Sequence, residues 1–191
     1  MGLFIVGLVV FLGVHCVSIV APGWRDAQIA RLGEPAWKGA YSVVSLVGFA
    51  LLIWGYGQAR QSPVVLYSPP AAMRHIALAL MLPVFPLLLA AYLPGRIKTA
   101  AKHPMLLAVK LWATAHLLAN GTLVDVLLFG AFLAWAVLDR ISVKRRAVQR
   151  VVPGAPPSSF NDAIALIGGL AIYVAFVMGV HLWLIGVSPL R

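Results

Sequence analysis

The sequence predicts an all-α protein, a polytopic bundle of about six transmembrane helices, and two observations support this prediction. The first is composition, because 62% of the 191 residues are hydrophobic, 10% are charged and the mean hydropathy is +0.95, whereas soluble domains carry roughly 25% charged residues. The second is patterning, because the apolar residues form runs near the 20 residues that a helix needs to cross a bilayer. We therefore expect one integral membrane domain over residues 1–191, with the lipid bilayer as its main partner.

The first half of the chain predicts three spans separated by polar loops. The first, Gly2–Ala21, lacks the basic region and cleavage site of a signal peptide, so we expect it to remain as a span. The second, Ala40–Gly57, contains small residues that suit close helix packing. The third, Ala71–Leu93, contains Pro83 and Pro86 and should be kinked.

The second half predicts a helical hairpin, formed by the fourth and fifth helices, and one further span. The runs His103–Ala119 and Leu123–Leu138 are separated only by Asn120-Gly121-Thr122, which predicts two antiparallel helices joined by a tight turn. A polar stretch follows, and Asn161-Asp162 should cap the last span, Ala163–Val187.

The basic residues are divided unequally between alternate loops. The loops after the first, third and fifth runs hold eleven, namely Arg25, Arg31, Lys38, Arg96, Lys98, Lys102, Arg140, Lys144, Arg145, Arg146 and Arg150. The other side holds three, namely Arg60, Arg74 and Arg191. The positive-inside rule therefore places the first set in the cytoplasm, at what we expect to be a bacterial inner membrane, with both termini outside. Contact with anionic lipid accounts for the net charge of +10, and we expect no nucleic-acid partner because aromatic residues do not alternate with the basic ones.

The usual catalytic motifs are missing from the sequence. It contains no glycine-rich phosphate loop, no Ser/His/Asp arrangement, no paired carboxylates and no zinc-spaced cysteines. The single cysteine, Cys16, excludes an intrachain disulfide. Hydrolysis and phosphoryl transfer therefore lack the groups that they need, and the histidines are the remaining candidates.

Two of the five histidines lie well inside predicted spans. A histidine away from water needs a hydrogen-bond partner, a charge partner or a metal, and His15 and His116 are the two in question. Any metal site must draw on different helices, as a haem between helices does, since His103 and His116 are roughly 20 Å apart along their run. Each buried histidine could instead simply bond helix to helix. His75 and His103 should be interfacial, and His181 has no assigned role.

The surroundings of His116 suit a flat cofactor. Trp112 and Asn120 lie on the same helix face, four residues before and after it. Small residues such as Ala113 would let a macrocycle approach the helix, and the tryptophan could wall its edge. Lys110 is the one charge well inside a span, and it could either bind a cofactor carboxylate or line a polar interior.

Several motifs within residues 1–140 share their spacing with a known family. They are Leu12-Gly13-Val14-His15, Arg31-Leu32-Gly33-Glu34, Lys38-Gly39-x-Tyr41-Ser42-x-Val44-Ser45-Leu46, Lys102-His103-Pro104-Met105 and Trp112-x-x-Ala115-His116-Leu117-Leu118-Ala119-Asn120-Gly121. The chain thereby resembles the NnrU family of membrane proteins, which is associated with bacterial denitrification, in the expression of nitrite and nitric oxide reductases. That family is similar to the 15-cis-zeta-carotene isomerases, which carry haem b.

The resemblance implies a haem b held by two histidines. In the isomerases one ligand lies in the corresponding early helix and the other ends the Trp-x-x-Ala-His stretch, which implies His15 and His116 here. It also implies a sensor, assembly or redox role in nitrogen-oxide metabolism, with membrane redox or denitrification proteins as partners.

Other functions remain open from the sequence, including whether the protein is an enzyme. One is a haem-dependent cis–trans isomerase of a polyene, although the isomerases have a cysteine three residues before the second ligand, where this chain has Ala113. The others are a haem-free scaffold and a lipid-modifying methyltransferase. The methyltransferase is suggested by His103-Pro104, but this chain lacks the paired glutamates of such enzymes.

A six-span arrangement sets the two implied ligands at different depths. His15 falls toward the cytoplasmic end of its helix and His116 toward the outer end of its own. The ligating nitrogens of one haem must be roughly 4 Å apart. A site built from these two histidines therefore requires the hairpin to turn within the membrane, where protein must cover its irregular backbone.

Overall fold

The computed structural model describes residues 1–146 and 153–190 of the chain, and most of these are helical. The helices are α1 (Gly2–Val20), α2 (Pro22–Leu32), α3 (Glu34–Ala59), α4 (Ala72–Met81), α5 (Val84–Ala90), α6 (Arg96–Ala101), α7 (Pro104–Ala119), α8 (Leu123–Arg145), α9 (Asn161–Ala175), a π-helical segment (Phe176–Val180) and α10 (His181–Ile185). The described residues form no β-strand, so the predicted all-α class is confirmed. Arg150 and Arg191, which enter the charge asymmetry, lie outside the described residues.

Five segments of the described chain are long and apolar enough to cross a membrane, which makes this a multi-pass membrane protein. They are Gly2–Val20, Glu34–Ala59, Ala72–Ala90, Leu123–Arg145 and Asn161–Ile185. The remaining predicted span is α7, an apolar helix of 16 residues. At 1.5 Å per residue it is about 24 Å long, less than the ~30 Å hydrocarbon core. It begins at Pro104, whose missing N–H suits a first turn, and ends where Asn120 becomes extended.

Proline divides the third span as expected. Leu82 and Pro83 separate α4 from α5, because the ring of a proline inside a helix clashes with the carbonyl four residues earlier and removes a hydrogen bond. The helix is therefore interrupted at Pro83, whereas Pro86 lies within α5, and the span offers two packing surfaces.

The described chain divides into two compact units, the first made of residues 1–66 and 122–131 and the second of residues 67–121 and 132–191. In the first unit α1 packs along α3 at very short range. A Cβ at Gly7 would overlap the backbone of Leu52, and one at Gly55 would overlap the backbone of Phe4. Glycine at these positions lets the two helix backbones touch, which maximises dispersion contacts where lipid supplies no hydrophobic driving force.

In the second unit α5 lies between α7 and α9 and packs against both, while α4 also packs against α7. Val84 and Leu87 of α5 and Ala108 of α7 form a buried cluster. On the other side of α5, a Cβ at Gly169 of α9 would overlap the backbone of Pro86. The halves of the kinked span thus fix the positions of α7 and α9.

The start of α9 differs from the prediction, because Asn161-Asp162 does not cap its own helix. The Asp162 carboxylate accepts the backbone N–H groups of Arg96 at 2.8 Å and Ile97 at 3.0 Å, and so caps α6. Asn161 Nδ2 donates to the carbonyl of Pro94 at 2.8 Å. The prediction was wrong because a turn distant in the chain offers these side chains free backbone groups, which sequence proximity does not reveal.

Candidate functional site

His116 lies near the C-terminal end of α7, with one ring nitrogen committed to the main chain. Its Nδ1 is 2.8 Å from the carbonyl oxygen of Trp112. A carbonyl only accepts hydrogen bonds, so Nδ1 must carry the hydrogen and the lone pair is on Nε2. This is the tautomer of a metal-ligating histidine, whose second nitrogen usually donates to a carbonyl or carboxylate.

The end of α7 holds the His116 backbone in place. Asn120 donates both its backbone N–H, at 2.8 Å, and its side-chain Nδ2, at 2.9 Å, to the carbonyl of His116. The first is the last i→i−4 bond of the helix, and the second adds a side-chain donor to the same carbonyl. Asn120, predicted to bind a cofactor, therefore uses its amide to fix the helix end that carries His116.

Protein also covers the turn that follows α7. The Tyr67 hydroxyl donates to the carbonyl of Asn120 at 2.7 Å and to that of Leu117, and the Tyr67 N–H donates to the Gly121 carbonyl at 3.2 Å. A Cβ at Gly121 would overlap the Tyr67 carbonyl, so glycine is required there. Three carbonyls of this turn, those of Leu117, Asn120 and Gly121, therefore have protein donors.

Aromatic side chains lie on one side of His116, and alanines lie near it on α7. The Trp112 ring centre is 5.3 Å from that of His116, and Phe132 meets the indole edge-on at 5.5 Å. Phe132 belongs to the part of α8 in the second unit, so its contact with Trp112 joins that part of α8 to α7. Ala113 and Ala115 are fully buried.

His15 has the same tautomer and an aromatic surround. Its Nδ1 is 2.6 Å from the carbonyl oxygen of Phe11, so its Nε2 also carries the lone pair. The Phe11 ring centre lies 4.3 Å away and that of Tyr41 lies 5.3 Å away. His15 belongs to α1 in the first unit and His116 to the second.

The structure brings His181, which had no assigned role, close to His116. Their ring centres are 6.4 Å apart and the ring planes are inclined by 28°. His181 Nδ1 is 2.7 Å from the Val187 carbonyl oxygen, which again leaves the lone pair on Nε2. The predicted topology could have indicated this closeness, because the fourth and last apolar runs end on the same side of the membrane.

Lys110 and the other two histidines lie away from this pair. Lys110 is six positions before His116, a rise of about 9 Å and an offset of about 120° around the helix. His75 is exposed on α4. Half-buried His103 precedes α7, where burial, and to a smaller extent the charge of Arg140, lowers its pKa.

A buried carboxylate, Asp125, was missed by the sequence reasoning. It is 6% exposed and accepts hydrogen bonds from the hydroxyls of Tyr56 at 2.6 Å and Thr122 at 2.5 Å. The signal was the Thr122-x-x-Asp125 spacing, which is that of a capping box at the start of α8. Its hydroxyl partners account for its burial, and it ties α8 to α3 within the first unit.

The donor set of the described residues suits a haem better than a bare metal ion. No group of three or more His, Cys, Asp or Glu side chains lies close enough to hold a metal within residues 1–146 and 153–190. A structural zinc needs four protein ligands. A haem needs one or two, because the porphyrin supplies the other four nitrogens.

A family model described as NnrU protein matches residues 3–189, nearly the whole chain. No curated protein and no solved structure matches the chain.

Proposed function

The chain belongs to the NnrU family, and on that premise we propose that it is a haem b-binding membrane protein that serves nitrogen-oxide metabolism. His116 would hold the haem iron, and His15, which the resemblance gives as the second ligand, has a ring with the same tautomer.

One observation carries the proposal, namely the Nδ1–carbonyl bond of His116. It fixes the ring orientation and keeps the lone pair on Nε2, as in metal-ligating histidines of known sites. The helix end is held by Asn120, and the Trp112 ring stands at the edge of the imidazole. These contacts prepare the ring before any ligand arrives, and preorganisation of this kind raises affinity.

The bound haem would supply one-electron chemistry. The residues of this chain would bind the iron, exclude water and orient the ring plane. A sensor, assembly or redox role in denitrification follows, with membrane redox or denitrification proteins as partners. We place the protein in a bacterial inner membrane with its basic loops in the cytoplasm, on the charge asymmetry of those loops.

A polyene isomerase is a weaker proposal. The residue corresponding to the isomerase cysteine is Ala113, which is fully buried and carries no thiol. The sulfur that the isomerases have at this position is therefore missing from this chain.

The test of the proposal is the absorption spectrum of the full chain purified in detergent from haem-replete cells. We expect a Soret band that shifts on reduction, and its loss in His116→Ala. His75→Ala is the matched control, since His75 is exposed on a helix of the same unit, and it should keep the band. A colourless wild-type protein that does not take up added haemin would refute the proposal and leave the scaffold or the methyltransferase.

The link to nitrogen oxides needs its own measurement. Deletion of the gene should lower nitrite and nitric oxide reductase activity in the native cell, and wild-type but not His116→Ala protein should restore it. Equal recovery of reductase activity with wild type and with His116→Ala would show that the physiological role does not depend on His116.

A further inference from the structure

Three connecting segments of the second unit meet at one end of that unit. Before α9, the Ala155 N–H donates to the Tyr92 carbonyl at 2.8 Å, and the Asp162 carboxylate caps α6. Near the end of α8, the charge of Arg140 acts on the ring of His103, which precedes α7. The segments around α6, at the end of α8 and before α9 are therefore neighbours.

The cations at this end outnumber the carboxylates that could neutralise them. The acidic residues of the second unit are Asp139 and Asp162, and both are engaged. Asp139 pairs with Arg146 at 3.1 Å, and Asp162 accepts the backbone N–H groups at the start of α6. The other cations here, which we call the basic end, form no ion pair with any described residue: Arg96, Lys98, Lys102, Arg140, Lys144 and Arg145. An anion that balances them must come from another molecule.

Two of these cations stand side by side on α8. Arg140 and Lys144 are one helical turn apart, with about 5–6 Å between their Cβ atoms, and like charges at this spacing repel. The charge of Lys102 acts on the same His103 ring as that of Arg140. Burial and these charges hold the pKa of His103 below its ordinary value, so the uncharged ring still has one N–H to donate. An oxyanion at this point would relieve the repulsion and accept hydrogen bonds from all of these groups.

The surface of α8 that leads to these cations is apolar and exposed. Its exposed residues are Ala134, Val137, Leu138, Ile141, Lys144 and Arg145. At 3.6 residues per turn they form one stripe about 120° wide. Because Leu123–Arg145 is long and apolar enough to cross a membrane, this stripe faces lipid, and it changes from apolar to cationic within one turn.

We propose that the basic end binds the headgroup of an anionic phospholipid. The phosphate lies against Arg140 and Lys144, with Lys102 beside it, and the acyl chains lie along the apolar stripe of α8. A lipid phosphate uses both parts of this surface, because its charge is attached to hydrocarbon, whereas a free phosphate would use the cations alone. Basic clusters next to membrane spans attract acidic headgroups. This inference goes beyond the proposed function and does not depend on haem.

The test is lipid retention by the full chain in detergent, measured by native mass spectrometry with added phosphatidylglycerol or phosphatidylcholine. The two lipids carry the same acyl chains, and only phosphatidylglycerol has a net negative charge. We expect wild type to retain phosphatidylglycerol preferentially. One basic residue near the headgroup strengthens such binding about five-fold. Lys144→Gln should therefore weaken phosphatidylglycerol binding about five-fold, and Arg140→Gln/Lys144→Gln about 30-fold.

The matched control removes the same amount of charge elsewhere. Arg31 lies in α2 and Arg74 in α4, and neither forms an ion pair with a described residue. Arg31→Gln/Arg74→Gln should keep the wild-type affinity. Arg140→Lys/Lys144→Arg preserves both charges of the site and should keep it too. Lys144 is exposed in the last turn of α8, so Lys144→Gln tests the site even if the double glutamine variant does not fold.

Three results would overturn the inference. Equal retention of the two lipids by wild type would leave the basic end to an acidic protein or to water. Equal affinities of Lys144→Gln and wild type would show that the headgroup does not lie there. Displacement of phosphatidylglycerol by an equal concentration of inorganic phosphate would make this a site for a soluble anion, whereas we expect the lipid to stay bound.

Discussion

Removing the Tyr56 hydroxyl should measurably destabilise the first unit. Tyr56→Phe keeps the ring and opens no cavity, so the change isolates the bond from the hydroxyl to the Asp125 carboxylate at 2.6 Å. Asp125 is 6% exposed, so water cannot replace the lost donor. A hydrogen bond to a charged group contributes about 1.5–3 kcal/mol.

The expected shift follows from the middle of that range. A loss of about 2 kcal/mol at about 2–4 °C per kcal/mol, for a chain of this size, lowers the melting temperature by about 4–8 °C. Dye-monitored thermal unfolding in one detergent, at one scan rate, measures it. Tyr92→Phe is the matched control, because Tyr92 is 51% exposed, and it should change stability by less than about 0.5 kcal/mol.

A double-mutant cycle shows whether the Tyr56 effect comes from the bond itself. In an Asp125→Ala background the hydroxyl has already lost its acceptor, so Tyr56→Phe should cost nothing further. Equal shifts for Tyr56→Phe and Tyr92→Phe, or the same cost of Tyr56→Phe in both backgrounds, would show that the bond contributes nothing.

Two further predictions concern the second unit. Gly169→Ala should destabilise the protein by about 1–3 kcal/mol, because its Cβ would overlap the backbone of Pro86. The control is Gly130→Ala, which has open space around it and should be neutral or up to about 1 kcal/mol stabilising. Similar melting temperatures for the two variants would contradict the close packing of α9 on α5. The pKa of His103 lies below its ordinary value of 6.5, mainly through burial, so the folded state favours the neutral ring. The contribution of neutral His103 to the free energy of unfolding is therefore present above pH 6.5 and is lost as the pH falls through the lowered pKa. Melting temperatures measured across this range should fall less steeply for His103→Asn than for wild type, and parallel curves would exclude His103 as the cause.

The spans could be predicted because membrane insertion depends on a property of short segments. Length and hydropathy locate the helices of Gly2–Val20 and Leu123–Arg145, and the steric effect of Pro83 on its own helix predicts the break after α4. The tautomer of His116 also has a local cause, since the carbonyl that fixes it lies one helical turn earlier.

The remaining features depend on partners distant in the chain. Asp162 caps α6 rather than its own helix because tertiary packing brings Arg96 to it. His181 meets His116 only after α5 has positioned the helices on either side of it. The π-helical turn before His181 adds one residue to a helix without changing its hydropathy, so an apolar pattern gives no sign of it.

The cover that Tyr67 gives the turn after α7 also bears on which molecules can reach His116. Protein donors on the carbonyls of Leu117, Asn120 and Gly121 lower the cost of setting this helix end among acyl chains, as a helix of 16 residues favours. A site at such a tip would be reached through hydrocarbon, which admits an uncharged molecule far more readily than a hydrated anion.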